Sequence, residues 1–476
     1  MIPIDTLPDE VLLAAFSFVV DEDAKYQKEV EAWQSLVHVC RRWRSIVFGS
    51  PRRLNLRLVC GAETPIRDTL DVWPPLLLVI GGGAFQPRRV DNLMAGLERS
   101  DRVCQIDFRG DDKLTMESIL AAMRQPFPEL TDLVIAMFFD TMTAPDSFLG
   151  GSAPRLRKLH LCGIPFPGLP KLLLSANHLV DLQLRSIPYS GYISPEAMAT
   201  ALSALTSLQL FSLMFLFTPS LPNWARRPSP LTRSLLPVLE KLKFGGATEY
   251  LDDLVAHIDV PRLSSLDVAF STLSILDAPQ FTQLISHTPT FEVLKTALII
   301  FGIQGAWVRL SSETHGYSLT VRIREGGLDK QLRSLQRVFT LCLPPLSTAS
   351  SSDLYVDENV FPLDLPGDEV EDLWLELLHS FTAVKNLYLS KKIASCIIPA
   401  LKQLVGDRTT EVLPALEKIF LEERPHGPVQ KGFREFIAAR RLSGHPTAVF
   451  LPSEWEKDME DSWDIWNVEL EAFYES

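Results

Sequence analysis

The chain has 476 residues, 46% of them hydrophobic and 22% charged, proportions of ordinary globular material that exclude a disordered or fibrous polymer. Its 46 Lys and Arg against 59 Asp and Glu leave a net charge of −13, a poor basis for general nucleic-acid or anionic-membrane binding, since both need a basic field. At ~150 residues per domain the length suggests about three domains, unless a repeat extends one core along an axis.

The N-terminus, Met1-Ile2-Pro3-Ile4-Asp5, has no basic run and meets carboxylates at Asp5, Asp9 and Glu10, so it does not read as a secretory signal. Thr6-Leu7-Pro8-Asp9-Glu10 is a helix start: proline suits a first turn, where its missing N–H has no partner, and acids favour the positive end of the helix dipole. The helix is predicted to run to about Val20 with Leu12, Leu13, Phe16 and Val19 or Val20 as its apolar stripe. After the charged segment Asp21 to Glu31, Trp33, Leu36, Val37, Cys40 and Val47 recur at helical spacing, crossed by Arg41-Arg42-Trp43-Arg44 and ended by Gly49-Ser50-Pro51. Two or three short helices can hardly bury such stripes among themselves, which leaves apolar surface for a partner.

The ordered set Leu7-Pro8-Asp9-Glu10-Val11-Leu12, Phe16, Trp33 to Leu36 and Val39-Cys40-Arg41-Arg42-Trp43-Arg44 resembles an F-box. The Asp21 to Glu31 segment is longer and more charged than the usual helix connection of that family. The resemblance implies that these helices pack on the Skp-type adaptor of a cullin-RING ubiquitin ligase. The adaptor-binding positions it carries over are Leu7, Pro8, Leu12, Phe16, Val39, Cys40 and Trp43. Leu13, Leu36 and Val37 read as the core of the helical unit itself. The arginine run reads as a solvated helix face on an acidic chain, and no nucleic-acid partner is expected.

Leu76 to Ile80, then Gly81-Gly82-Gly83 and a helix near Val90 to Arg99, have the outline of a dinucleotide loop, with Asp107 ending the next strand. Position 86 is Gln where a third glycine belongs, and a strand-to-helix turn explains the glycines equally well, so no cofactor is expected.

The prolines are punctuation. Pro128-Glu129-Leu130, Pro154-Arg155-Leu156, Pro237-Val238-Leu239, Pro261-Arg262-Leu263 and Pro414-Ala415-Leu416 each open the same pattern, apolar at positions 1, 4 and 6. Val103/Ile106/Phe108, Leu179/Leu182/Leu184 and Val384/Leu387/Leu389 follow it without the proline. Each pattern predicts a short strand, and the proline is expected to stop the preceding helix and preset an extended backbone. Short amphipathic helices are predicted between them, at Met116 to Met123, Glu196 to Leu205, Asp252 to Ile258, Phe281 to Ser286, Asp372 to Leu378 and Cys396 to Val405. Pattern starts at 103, 130, 156 and 179 lie 27, 26 and 23 apart, and 239 to 263 is 24; a period of ~20–29 residues carrying Leu-x-x-Leu-x-Leu is the leucine-rich-repeat signature. The Asn or Cys such repeats usually place eight residues after the first Leu is replaced by Phe138, Ile164, Ile187, Ala247 and Ser271, so the repeats are irregular. Between Phe291 and Val384 the register is lost, although Tyr317 to Ile323 and Val338 to Leu343 alternate as strands and Ser347 to Ser352 is a polar loop. Ala197 to Ala225 carries no charge, but Ser203, Thr206, Ser207, Gln209 and Ser212 interrupt it and Pro219 and Pro222 follow; no membrane span is expected.

With positions 4 and 6 in the core, positions 3, 5 and 7 face the concave surface: Gln105, Asp107, Arg109, Lys158, His160, Asp181, Gln183, Arg185, Lys241, Lys243, Asp267, Tyr388 and Lys418. Arg109, His160, Arg185, Lys241, Lys243 and Tyr388 are the candidate client-binding residues among them. The same mixture also describes an ordinary solvated strand face.

Six cysteines, none closely paired, read as thiols of a reducing compartment. No metal-ligand spacing, Gly-x-Ser-x-Gly or His-Glu-x-x-His occurs, and nothing assembles a nucleophile, base and oxyanion site, so no enzyme activity, metal or cofactor is expected. Gly432 to Leu442 reads as a short basic helix. Beyond it the last 24 residues hold nine acids and one lysine, net −8. A capping box, Ser453 with Glu456, precedes one helical stripe of Trp455, Met459, Trp463, Trp466, Leu470 and Phe473. This segment reads as a helix closing the open end of a solenoid or as an acidic peptide awaiting a basic partner.

The expected fold is α/β: a short trihelical F-box at residues 1–55, an irregular leucine-rich-repeat solenoid of strand-turn-helix units at 56–425, and C-terminal basic and acidic capping helices at 426–476. Trp374-Leu375-Glu376-Leu377-Leu378 and Val384-Lys385-Asn386-Leu387-Tyr388-Leu389 are similar to the expanded F-box-like families of mushroom-forming fungi. That combination implies a substrate-recognition subunit of an SCF-type ligase, cytoplasmic or nuclear, binding a Skp-type adaptor, through it a cullin, and an unknown client protein. The alternative is a scaffold that binds the adaptor without delivering a substrate.

Overall fold

The computed structural model describes residues 4–20, 32–60, 70, 73–83, 87–138, 142–216, 233–270, 278–312, 314–343, 352–359, 368–404 and 406–451. The chain divides into two compact units, the first being residues 1–217 with 231–239 and 257–260, the second 218–230, 240–256 and 261–476.

The first unit begins with α1 (Asp9–Ser17), α2 (Trp33–Val37) and α3 (Arg41–Gly49). Helix α1 ends before Val20, and the N–H groups of Phe18 and Val19 close the last turn on the carbonyls of Ala15 and Phe16. Seven strands follow: β1 (Arg57–Cys60), β2 (Leu77–Gly83), β3 (Val103–Gly110), β4 (Asp132–Met137), β5 (Lys158–Cys162), β6 (Asp181–Ile187) and β7 (Leu210–Phe215). They lie in sequence order and every pair is parallel. Helices α4 (Pro87–Leu97), α5 (Lys113–Ala122), α6 (Leu169–Leu173) and α7 (Pro195–Leu202) fall between them, and β8 (Ser234–Leu235) pairs with β10 (Ile258–Asp259).

The pairing register is the repeat period. Ile106, Leu133, Leu159 and Leu182 stand at one level across β3 to β6, which are the second apolar positions of four successive patterns. These residues, the first positions Val103, Leu130, Leu156 and Leu179, and the third positions Phe108, Ile135, Leu161 and Leu184 are all buried. This is the leucine-rich-repeat arrangement, in which each unit buries its apolar side on the next. The prolines act differently from the expectation. Pro128, Pro154, Pro237 and Pro414 take the second place of a turn, which the N–H of the first Leu closes onto the carbonyls of Phe127, Ala153, Leu236 and Leu413; the φ fixed by proline suits that place. Where the family's turn asparagine is missing, main chain carries the hydrogen bonding past the strand: the N–H of Gly163 donates to Arg185 O at 3.0 Å and that of Leu216 to Ile187 O at 3.0 Å.

Gly81-Gly82-Gly83 is the end of strand β2, paired level with Asp107, Phe108 and Arg109, and not a loop entering a helix. Up to residue 216 the uncharged stretch after Ala197 holds the end of α7 and strand β7, its remainder lying outside the described residues, and among the described residues no helix is long and apolar enough to cross a membrane.

In the second unit the strand order is β9 (Lys241–Gly246), β11 (Ser265–Phe270), β14 (Ser318–Ile323), β13 (Gly305–Ser311), β12 (Thr296–Gly302), β15 (Asp353–Asn359), β16 (Asn386–Leu389), β17 (Lys418–Leu421) and β18 (Ala448–Phe450). The lost register now has a cause: β13 runs antiparallel between β14 and β12, a hairpin excursion inside a parallel sheet. Gly305 opens β13 where a Cβ would lie 1.8 Å from Ile323 O, a close approach that only glycine permits. Helices α8 (Thr248–His257), α9 (Pro279–His287), α10 (Leu328–Arg337), α11 (Asp368–His379), α12 (Lys391–Lys402) and α13 (Gly427–Leu442) supply the other layer. Val338 to Cys342 is a π-helical turn continuing α10 and not the expected strand. The stripe Leu328, Leu332, Leu335, Val338, Phe339 stays buried, so helical period wins over a local alternation. Most of the polar loop at 347–352 and all of the C-terminal stripe from Trp455 to Phe473 lie outside the described residues.

Candidate interaction surfaces

In the helical module, Cys40 Sγ caps α3 by accepting from Trp43 N–H at 3.5 Å. The Trp43 ring then lies 4.7 Å from Phe16, joining α3 to α1. Arg42 closes the same seam, its guanidinium donating to Asp9 Oδ1 at 2.6 Å and Leu7 O at 2.5 Å. One member of the expected solvated arginine face is therefore a clamp on the Leu-Pro-Asp turn.

The carried-over positions separate into two layers. Leu12 and Phe16 are buried, each 2% exposed, so they hold the helices together from within. Pro8, Val39 and Cys40 are exposed, and Leu7 and Trp43 are half-buried. Val11, which motif matching did not single out, is exposed as well, at 48% against 59% for Val39. Trp33, fully buried, donates from Nε1 to Arg57 O of β1 at 2.9 Å and packs edge-on to Trp73 at 5.2 Å.

On the sheet face of the first unit, Arg109 and Arg185 occupy one row, separated by Ala136 and Cys162. Arg109 turns back to Asp107 at 3.0 Å. His160, half-buried, meets Asp181 Oδ2 at 2.8 Å, and Gln183 donates to the same carboxylate. Burial alone would raise the Asp181 carboxyl, but the hydrogen bond and charge of His160, with Gln183 and Lys158, outweigh it and hold the group below its ordinary value.

In the second unit, Lys241 is exposed and Lys243 half-buried. Lys243 stands level with Asp267, whose carboxylate receives a bidentate pair from Arg322 at 3.0 and 3.1 Å. Tyr388 is not an isolated residue. It stacks on Tyr355 at 4.1 Å and on Phe420 at 4.4 Å, and Phe420 stacks on Phe450 at 5.1 Å, a four-ring ladder across β15 to β18. Cross-strand aromatic pairs of this kind stabilise a sheet by ~0.2–1 kcal/mol each. The sequence held part of this signal, since Tyr388 and Phe420 both fall on position 5 of their repeats, but β15 and β18 have no such pattern.

Near one end of the ladder Asp357 is pushed up to about 6, first by burial and further by the charges of Glu358 and Glu422, against hydrogen bonds from Glu358 N–H and Ser390. A carboxyl whose folded pKa lies above its unfolded value binds protons more readily in the fold. Stability therefore falls as pH rises from about 4 through about 6 and the cost is fully present at pH 7. Asp357→Asn is expected to stabilise the chain by about 2 kcal/mol at pH 8 and to change little at pH 4. Urea unfolding at both pH values measures this, and equal effects at the two would contradict it.

Burial pushes the thiols of Cys104 and Cys396 up to about 12 and about 11, which leaves them unreactive. Among the described residues no His, Cys, Asp or Glu group could hold a metal ion.

Residues 4–57 match the family model described as F-box-like, so the three helices and the approach to β1 form an F-box-like domain. No curated protein matches the chain. Among solved structures, the leucine-rich repeat-containing protein LegL7 from Legionella pneumophila is similar at 12% identity and a TM-score of 0.27, over 80% of this chain and 97% of that one.

Proposed function

We propose that the chain is the substrate-recognition subunit of an SCF-type cullin-RING E3 ubiquitin ligase. The F-box-like domain binds a Skp-type adaptor, the adaptor joins it to a cullin, and the exposed sheet faces hold a client protein. The observation that carries this reading is the apolar surface left on the F-box-like domain: Val39 and Val11, 59% and 48% exposed, with exposed Pro8 and Cys40 and half-buried Leu7 and Trp43. Covering a Val or Leu fully is worth ~1.5–3 kcal/mol, enough for a few such residues to anchor a complex. Leu12 and Phe16 support this surface from beneath. Residues 1–55 are the adaptor module, 56–425 the client-binding repeats and 426–476 the C-terminal closure. Arg109, His160 and Arg185 on one face, and Lys241, Lys243 and Tyr388 on the other, are the client contacts. On this reading the chain makes no covalent bond itself, takes no cofactor, binds neither nucleic acid nor membrane, and works in the cytoplasm or nucleus.

Pull-down with a Skp-type adaptor tests the reading. Val11→Asp with Val39→Asp alters only exposed side chains, so it is expected to leave thermal unfolding unchanged while lowering adaptor capture at least about tenfold. Undiminished capture by the folded variant would remove the proposed interface. Adaptor capture with no protein accumulating when the chain is deleted would instead favour the scaffold that delivers no substrate.

A further inference from the structure

The described chain ends at Leu451, on the rim of a groove of about 190 Å³. Its apolar lining comes from Leu421 at the end of β17, Phe433 and Ile437 on α13, and Val449 of β18. Arg424 and Arg434 stand exposed at its margins, and neither carries an ion pair among the described residues. The groove sits where the sheet order ends: among the described residues β18 pairs with β17 alone, and a strand edge left open is a template for unwanted pairing.

Immediately beyond lies the segment whose sequence reads as one amphipathic helix, with Trp455, Met459, Trp463, Trp466, Leu470 and Phe473 on its apolar stripe and a net charge of −8 over the last 24 residues. We infer that residues 453–476 dock as a helix into this groove of their own chain, the tryptophan stripe against Phe433, Ile437 and Val449 and the carboxylates toward Arg424 and Arg434. Three features single out this occupant. Its charge is opposite to that of the two arginines. It carries a large apolar stripe to set against the half-buried Ile437, Val449 and Leu451 of the lining. Only Pro452 separates its capping box from Leu451, so docking is intramolecular and proceeds at an effective concentration of about millimolar. Twenty-four helical residues extend ~36 Å, ample for a groove of this size. Because Val449 belongs to the edge strand, the docked helix also lies against that edge. This inference is independent of adaptor binding.

Hydrogen exchange read by mass spectrometry on the full chain tests it, comparing the wild type with Arg424→Glu/Arg434→Glu and with Trp463→Ser/Trp466→Ser. Slowed exchange is expected across 455–473 in the wild type, independent of protein concentration. Both double variants are expected to lose at least about tenfold of that protection, while β15 to β17 keep theirs. High salt is expected to erode it in part. Exchange at the free-peptide rate in the wild type, or protection unmoved by the arginine variant, would overturn the inference. Protection that rises with protein concentration would overturn it too, by assigning the groove to a second copy.

Discussion

Trp33→Ala is expected to destabilise the first unit by about 3–5 kcal/mol and to free the F-box-like domain from the repeats that support it. The indole is fully buried, touches Trp73 at 5.2 Å and Phe48 at 6.0 Å, and donates to Arg57 O, so one side chain joins α2, α3 and the first strand. Its removal opens a cavity among rings that cannot collapse easily, and takes one hydrogen bond from a buried carbonyl. Trp33→Phe separates the two effects: most of the volume remains and only the hydrogen bond is lost, at a cost of about 1–2 kcal/mol. Denaturant midpoints of the three chains give the comparison. A midpoint for Trp33→Ala equal to that of the wild type would show that the module is held elsewhere. Adaptor capture should follow stability in this series, in contrast to the Val11 and Val39 variants, which alter the surface and leave the packing intact.

What made the repeats legible was redundancy. Each carries its own Leu-x-x-Leu-x-Leu, so Leu133, Leu159 and Leu182 report the register three times over, and pairing places them at one level. The excursion at β12 to β14 had no such redundancy. Thr296 to Phe301 is buried at every position, so it has no alternation to read, and a strand inserted out of sequence order cannot be inferred from spacing. Val338 to Leu343 failed for the opposite reason: a brief alternation imitated a strand where the buried stripe of α10 was continuing as helix.

In the helical module, motif matching found the F-box-like segment but could not say which side chains point outward. Leu12 and Phe16 belong to the motif because the helices need them as core, whereas Val11 faces solvent one position earlier. The prolines were rightly read as strand markers, yet their physical part, the second place in a turn closed by the following leucine, depends on a hydrogen bond that no pattern displays. The aromatic ladder is likewise a property of register: Tyr355, Tyr388, Phe420 and Phe450 lie far apart in the chain and meet only because four short strands align.

Arg440→Met is expected to lower the stability of the second unit by about 3–5 kcal/mol, mostly through the polar groups it leaves behind. Composition alone makes this residue one more charge on a basic helix, but it is fully buried and burial holds its guanidinium below its ordinary value. In place of a carboxylate it has a ring of oxygens: Thr447 Oγ1 at 2.8 Å, Leu416 O at 3.0 Å, and the carbonyls of Thr409 and Leu413 at 3.3 Å. The Leu413 and Leu416 carbonyls belong to the turn around Pro414 that launches β17, so α13 and the last full repeat are fastened by one side chain. Gly432 lets the same helix sit close, since a Cβ there would fall 2.4 Å from Ile398 Cγ2. Lysine keeps the charge but offers three donors around one point where the planar fork reaches five oxygens, Pro414 O at 3.5 Å included, so Arg440→Lys should recover only part of the loss. Chemical denaturation of the full chain ranks the three, with wild type above lysine and lysine above methionine. If methionine proved as stable as arginine, as happens when an apolar replacement packs better than a buried ion, the carbonyls of 409–416 would have to find other donors, and exchange at β17 would show whether the repeat had shifted to provide them.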